Sequence, residues 1–288
     1  MLQISYHNVD IRQQEKIVLE NVELNIKKGE FIYLIGKVGS GKSSLLKTMY
    51  GELDIYSGNA EVLGYDMTRI RRKQIAPLRK RLGIVFQDFQ LLTDRNVKEN
   101  LDFVLKATGW SDKRKRQFRI EEVLELVGME TKGYKMPHEL SGGEQQRIVI
   151  ARAILNNPEI ILADEPTGNL DPETGRQIVQ LLRNIRTSGS TVIMTTHNLQ
   201  LLEEFPGRVY RCENGRIVEL EAIKAVENTE VSKSVEASEN VEDTEKVEET
   251  SSPENPEMQA TPETVTSETA TPETATEEVQ PETQENNQ

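Results

Sequence analysis

The chain is poor in cysteine: Cys212 stands alone among 288 residues, so no disulfide can form within it. A cross-linked scaffold is excluded, and a reducing compartment is the expected setting. Cys212 itself reads as a small core hydrophobe in a strand. Aromatics are scarce, and none falls in residues 226–288. That segment cannot bury enough apolar surface to offset the entropy of ordering it. Long apolar runs are lacking as well. No stretch approaches the ~20 residues of a membrane-spanning helix, and no basic flank followed by an apolar region marks a signal peptide. Any membrane role is expected to pass through a partner.

The acidic balance is not shared evenly. Residues 226–288 carry 18 Asp and Glu against two Lys, a net of −16, leaving +3 for residues 1–225 and −13 for the whole. The low pI therefore belongs to the end of the chain. Composition predicts one large α/β domain over 1–222 and a disordered, acidic, Glu/Thr/Pro-rich tail over 223–288. A weak echo, Thr261-Pro262-Glu263-Thr264 and Thr271-Pro272-Glu273-Thr274, fits low complexity.

What is present is organised around residues 31–44. An apolar strand, Phe31 to Ile35, runs into Gly36-Lys37-Val38-Gly39-Ser40-Gly41-Lys42-Ser43-Ser44. This is the G-x-x-x-x-G-K-[ST] phosphate loop. Gly39 and Gly41 let successive N–H groups turn inward as an anion nest. A helix starting near Gly41 adds its positive end. Lys42 would reach the β- and γ-phosphates, and the Ser43 hydroxyl would ligate Mg²⁺. A plain glycine turn would need neither of those two side chains.

Around this loop, strands and helices alternate in the manner of a parallel α/β sheet. Residues 2–6 and 17–26 read as two strands of an antiparallel start. Residues 69–81 are dense in Arg and Lys; they read as a solvated helix face rather than a phosphate or membrane-surface patch, since no aromatics interleave the charges as nucleic-acid stacking would need. A strand from Leu82 to Phe86 ends on Gln87. Residues 97–108 and 112–127 are predicted helices. The basic block Lys113 to Arg116 opens the second, where it opposes the helix dipole; it is either a solvated first turn or a partner-facing patch. Ser141-Gly142-Gly143-Glu144 fits a capping box, yet two glycines behind the cap also bare backbone N–H groups at a helix start. That helix is expected to run to Pro158. The apolar strand 159–163 delivers Asp164-Glu165 at its C-terminal end, where open parallel sheets bind ligands. Gly168-Asn169-Leu170-Asp171 is a turn before helix 172–186. Strand 191–196 ends on His197, and 208–220 reads as a hairpin about Asn214-Gly215.

Taken in order, the phosphate loop, Gln87, the LSGGEQQR stretch at 140–147, Asp164-Glu165, the GNLD turn and His197 resemble the ATP-binding subunits of ABC systems over about residues 2–220. The resemblance implies a P-loop NTPase with a RecA-like core, a small antiparallel β subdomain and an inserted helical subdomain at about 88–156. Val85-Phe86-Gln87-Asp88 with Leu91-Leu92-Thr93-Asp94-Arg95-Asn96-Val97 is similar to the cell-division, FtsE-type branch. Lipoprotein-releasing and efflux ATPases carry a proline and then LTALENV there; they are the alternative. The chain departs from the family at Val38, usually Ser, and at Ser44, often Thr. The aromatic that stacks on adenine would fall near Gln13, and none is there.

By that resemblance Glu165 is the base for water, Asp164 holds Mg²⁺, Gln87 senses Mg²⁺ and the water, and His197 orients Glu165. Ser141, Gly142 and Gly143 would complete the ATP site of a second copy in an ATP-induced homodimer, with Asp171 communicating across the interface. The implied partner is an FtsX-like integral membrane protein at the cytoplasmic face of the inner membrane, with no nucleic acid. A non-hydrolysing ATP-gated scaffold is the contrasting reading, and intact Glu165 and His197 speak against it.

Overall fold

The computed structural model of the chain describes residues 1–220; the acidic tail read from composition lies outside the described residues. The described residues form two sheets. The first sheet is antiparallel, in the order β2-β1-β4-β5, built from β1 (Leu2–Gln13), β2 (Lys16–Lys27), β4 (Ile55–Val62) and β5 (Tyr65–Asp66). The second has six strands in the order β10-β9-β3-β8-β7-β6. Its members are β3 (Phe31–Ile35), β6 (Leu82–Val85), β7 (Ile160–Ala163), β8 (Thr191–Thr195), β9 (Arg208–Glu213) and β10 (Arg216–Leu220). Every neighbouring pair in it is parallel except β9 with β10.

Strand β3 is buried at every position because each face meets a different core. Phe31, Tyr33 and Ile35 face the cluster beneath the helices. Ile32 and Leu34 face the cluster closed by the antiparallel sheet. The period of two along an extended strand produces this division. Helix α1 (Lys42–Met49) belongs to the second cluster. α3 (Val97–Ala107), α4 (Lys113–Leu126), α5 (Gly142–Ile154) and α6 (Pro172–Thr187) pack in the first.

Three expectations need correction. β1 runs on to Gln13 rather than ending at residue 6. Its inward residues change parity, from Ile4 and Tyr6 to Val9 and Ile11, because Asn8 takes a left-handed φ of 49° at a register shift. Such a bulge flips the side-chain alternation, so a period-two reading stops where the strand does not. The helix expected to reach Pro158 ends at Ile154, with Asn157 left-handed before the proline. The basic stretch 69–81 forms α2 (Arg72–Lys80), but its face is not wholly solvated: Arg79 donates to the carbonyls of Tyr50 and Gly51, and Arg81 pairs with Glu159. A short helix, α7 (Gln200–Glu204), went unanticipated, having only two adjacent leucines to bury.

The basic block of α4 likewise has internal uses. Arg116 donates to Asp102 and to the carbonyls of Trp110 and Ser111, while Arg119 staples α4 to the end of α5 through Ile154, Leu155 and Asn157. Lys113, Arg114 and Lys115 remain exposed. The hairpin turn is as expected: Asn214 and Gly215 both have positive φ, the demand of a type I′ turn. Cys212 is buried in β9, and burial pushes its thiol up to about 12.

Candidate functional site

Four parallel strands, β3, β8, β7 and β6 in spatial order, end at one edge of the sheet, and each hands a residue to it. After β3 the chain enters the glycine loop. Gly36 has φ 147°, and a Cβ there would lie 2.3 Å from the Cys212 carbonyl oxygen. Gly41 has φ 99°, with Val18 and Leu19 side chains 2.9 Å from where a Cβ would be. The loop is thus pressed against β9 on one side and β2 on the other, and only glycine fits. Lys37, Val38 and Gly39 form an exposed tip, Val38 at 91%. Ser40 sits below it with its Oγ buried and without a hydrogen-bond partner.

Lys42 and Ser43 open α1. The Lys42 side chain is only 5% exposed. Its ammonium donates to the carbonyls of Gly36 and Lys37 at 2.9 and 3.2 Å and stands 3.7 Å from Glu165 Oε1. Ser44 reaches toward Gln13, Oγ to Oε1 3.5 Å, so the end of β1 lies beside the loop.

Asp164 follows β7, two strand spacings from β3, roughly 10 Å. Its Oδ1 accepts from Ser43 Oγ at 3.1 Å and from Thr195 Oγ1 at 2.7 Å. Thr195 is the last residue of β8, the strand between. Its hydroxyl also accepts the Glu165 N–H at 2.7 Å. Glu165 itself has φ 44°, left-handed for a non-glycine residue. That conformation costs on the order of 1–3 kcal/mol and persists where surrounding contacts over-determine it. Here the contacts are Thr195 at the backbone and His197 at the side chain, Nδ1 to Oε2 2.9 Å. The two carboxylates therefore diverge: Asp164 turns to Ser43 and Glu165 to Lys42 and His197. His197 is no core histidine, being 59% exposed.

Gln87, two residues beyond β6, is exposed and lines the same cleft as Ser43, Asp164 and Asn169. Residues 36–44, 87, 164, 165 and 197 are thus drawn to one sheet edge. Thr195 was not singled out from sequence. Its signal was a hydroxyl ending an apolar strand adjacent to the one carrying Asp-Glu, and that adjacency is visible only in the sheet order.

The chemistry of this edge suits a polyphosphate. The buried Oγ of Ser40, an ammonium resting on the loop's own carbonyls and the N-terminus of α1 converge on it. Among the described residues no three His, Cys, Asp or Glu side chains form a protein-only metal cage. Ser43 with Asp164 instead offers the few hard oxygen donors that Mg²⁺ uses alongside substrate phosphates.

Ser141, Gly142 and Gly143 lie elsewhere. Ser141 caps α5: its Oγ accepts from Glu144 N, and Glu144 returns a carboxylate oxygen to Ser141 N at 2.9 Å. The Ser141 N–H and the Lys132 ammonium hold the Glu144 carboxyl below its ordinary range. A Cβ on Gly143 would meet Thr174 Cγ2 at 2.5 Å. Asp171 caps α6 by accepting from Thr174 N at 2.9 Å, and hydrogen bonding from the Thr174 side chain, then from its backbone N–H, lowers the Asp171 pKa. The starts of α5 and α6 therefore meet in one patch, with Ser141 and Asp171 both exposed. Neighbours of the signature are on α6, not on the phosphate loop of its own chain.

Known proteins are similar in sequence and fold. The ABC transporter family model matches residues 19–168. The cell division ATP-binding protein FtsE of Streptococcus pneumoniae is 44% identical over 204 residues, 71% of this chain and 88% of that protein. The methionine import ATP-binding protein MetN of Carboxydothermus hydrogenoformans is 45% identical over 202 residues, covering 70% and 60%. Among solved structures, the dimeric post-hydrolysis form of the cassette MJ0796 bound to ADP and Pi superposes with a TM-score of 0.68 at 33% identity, over 76% of this chain and 98% of that one. The chain belongs to the ABC transporter family as an ATP-binding, ATP-hydrolysing subunit, similar to the FtsE cell division proteins.

Proposed function

We propose that two copies of this chain close head to tail around two ATP molecules, and that binding and hydrolysis drive an FtsX-like integral membrane protein in cell division and cell-wall hydrolase control. One observation carries the reading: the phosphate loop, Ser43–Asp164 and Glu165–His197 share one sheet edge, while Ser141–Gly143 lies at the α5–α6 patch of the same chain. A second phosphate-binding N-terminus that does not serve its own loop is suited to a partner's.

In this reading Lys42 leaves the loop carbonyls to neutralise the β- and γ-phosphates. Ser43, Asp164 and Gln87 would hold Mg²⁺, which when bound supplies charge neutralisation at the phosphates. Glu165 accepts the proton of the attacking water. His197 fixes the Glu165 carboxylate and would contact the γ-phosphate. The signature N–H groups of the second copy close over that phosphate, so closure depends on it and is released by hydrolysis. No helix among the described residues is long and apolar enough to cross a membrane, in keeping with a membrane partner as the moving load.

Glu165→Gln is expected to retain ATP binding and to lose roughly 10²–10⁴ in turnover, the usual scale for a general base. Undiminished hydrolysis would remove Glu165 from that role. Similarity to MetN supports a second reading, a transport cassette, alongside the exporter alternative for the chain. Identifying the protein that co-purifies with the full chain from detergent-solubilised membranes separates them: an FtsX-type protein supports the first, a permease the second.

A further inference from the structure

Arg152 lies near the C-terminal end of α5, about ten residues and so about 15 Å along the axis from the signature glycines. Its guanidinium donates NH2 to the Phe89 carbonyl at 2.8 Å and NH1 to the Gln90 carbonyl. No carboxylate among the described residues pairs with it. Burial without a counter-charge lowers its pKa from the usual guanidinium range. Arg152 is half-buried; a cation partly withdrawn from water and balanced only by two carbonyl dipoles carries a cost to folding, and sites that break a local rule tend to be functional.

The acceptors are also unusual. Phe89 and Gln90 have φ of 54° and 51°, two successive non-glycine residues in the left-handed region, just beyond Gln87. Among the described residues no other side chain from outside the loop bonds residues 88–91. Farther along, Asn100 fixes the following turn, donating to the carbonyls of Leu92, Arg95 and Asn96 and accepting from Leu92 N. The loop after β6 is thus anchored at its far end by Asn100 and held in a strained shape at its near end by one guanidinium fork.

We infer that Arg152 is the positioning residue for Gln87: it ties the loop behind Gln87 to helix α5, so that a displacement of the signature end is carried to Gln87 beside Asp164. The inference rests on the proposed role of Gln87. It gives closure over a second subunit's ATP a rigid route back to the cleft of its own chain. A planar fork suits this task better than an ammonium, because its two N–H groups point in fixed directions and hold both carbonyls in one geometry.

The test is a double-mutant cycle on the full chain, with Arg152→Met and Arg152→Lys each made alone and with Gln87→Ala. Steady-state kcat and KM for ATP and equilibrium binding of a fluorescent ATP analogue are measured. Arg152→Met is expected to lower kcat roughly tenfold with KM and binding within about twofold, and to change kcat less than about twofold once Gln87 is alanine. Arg152→Lys is expected to recover only part of the loss, and it carries the same cycle if the Met variant fails to fold. Equal losses in both backgrounds, or a loss confined to KM, would overturn the inference while leaving the site reading intact. A Gln87→Ala enzyme with undiminished turnover would refute the role of Gln87 and this inference with it.

Discussion

Thr195 does the most structural work per atom at the site. One hydroxyl accepts from the Glu165 backbone and donates to the Asp164 carboxylate, so a single group fixes both carboxylates in their different directions. Thr195→Val keeps the shape of the side chain but leaves the Glu165 N–H without its partner. Stability is expected to fall by about 1–3 kcal/mol, the scale for an unsatisfied buried donor, read as a shift in the urea midpoint with unchanged slope. No loss would mean that Glu165 holds its left-handed backbone unaided. The end of β1 carries a second residue-scale prediction. Gln13 stands beside Ser44, and the neighbouring Arg12 guanidinium lies 3.8 Å over the Tyr56 ring. Losing one stacking contact costs on the order of 1 kcal/mol, so the isolated subunit is expected to prefer ATP over GTP by less than about tenfold. A preference of roughly a hundredfold would assign the base contact to another group, with Arg12 on Tyr56 first to be substituted.

Helix starts account for much of the placement at the next scale. Asn96, Asp112, Ser141 and Asp171 each cap the helix that follows with a side-chain acceptor. The Asp94-Arg95-Asn96-Val97 stretch that sets this chain apart from exporter-type sequences contains one of them: Asn96 and Glu99 form a reciprocal capping box at the start of α3. Asn96→Ala is expected to lower stability by about 1 kcal/mol; a variant as stable as the parent would show that Asn100 alone holds that turn. Elements of this kind were legible in the sequence because caps and periodicity are local. The phosphate loop, the capping box at Ser141 and the type I′ turn at Asn214-Gly215 all rest on residues within a few positions of one another. Features set by contacts distant in sequence were not legible. The bulge at Asn8 hid half of β1 by reversing its parity. Arg79 and Arg116 fall in stretches that read as surface charge, yet each donates to carbonyls on another segment. Thr195 gained its importance only when β8 proved to lie between β3 and β7.

At the scale of the whole molecule, the sheet order gathers one half of a site and the α5–α6 patch presents what reads as the other half. A single chain brings Lys42, Ser43, Asp164, Glu165 and His197 together while Ser141 and Gly143 pack on α6. The account therefore depends on a second copy, and association is its most direct test. The measurement is light scattering of Glu165→Gln with ATP and Mg²⁺, compared with the same variant also carrying Ser141→Arg. The 32.7 kDa chain is expected to double to about 65 kDa in an isologous dimer with ATP, to remain monomeric with ADP, and to stay monomeric when arginine replaces Ser141. A Glu165→Gln chain that stays at monomer mass with ATP, or one that dimerises equally well with Ser141→Arg, would contradict it.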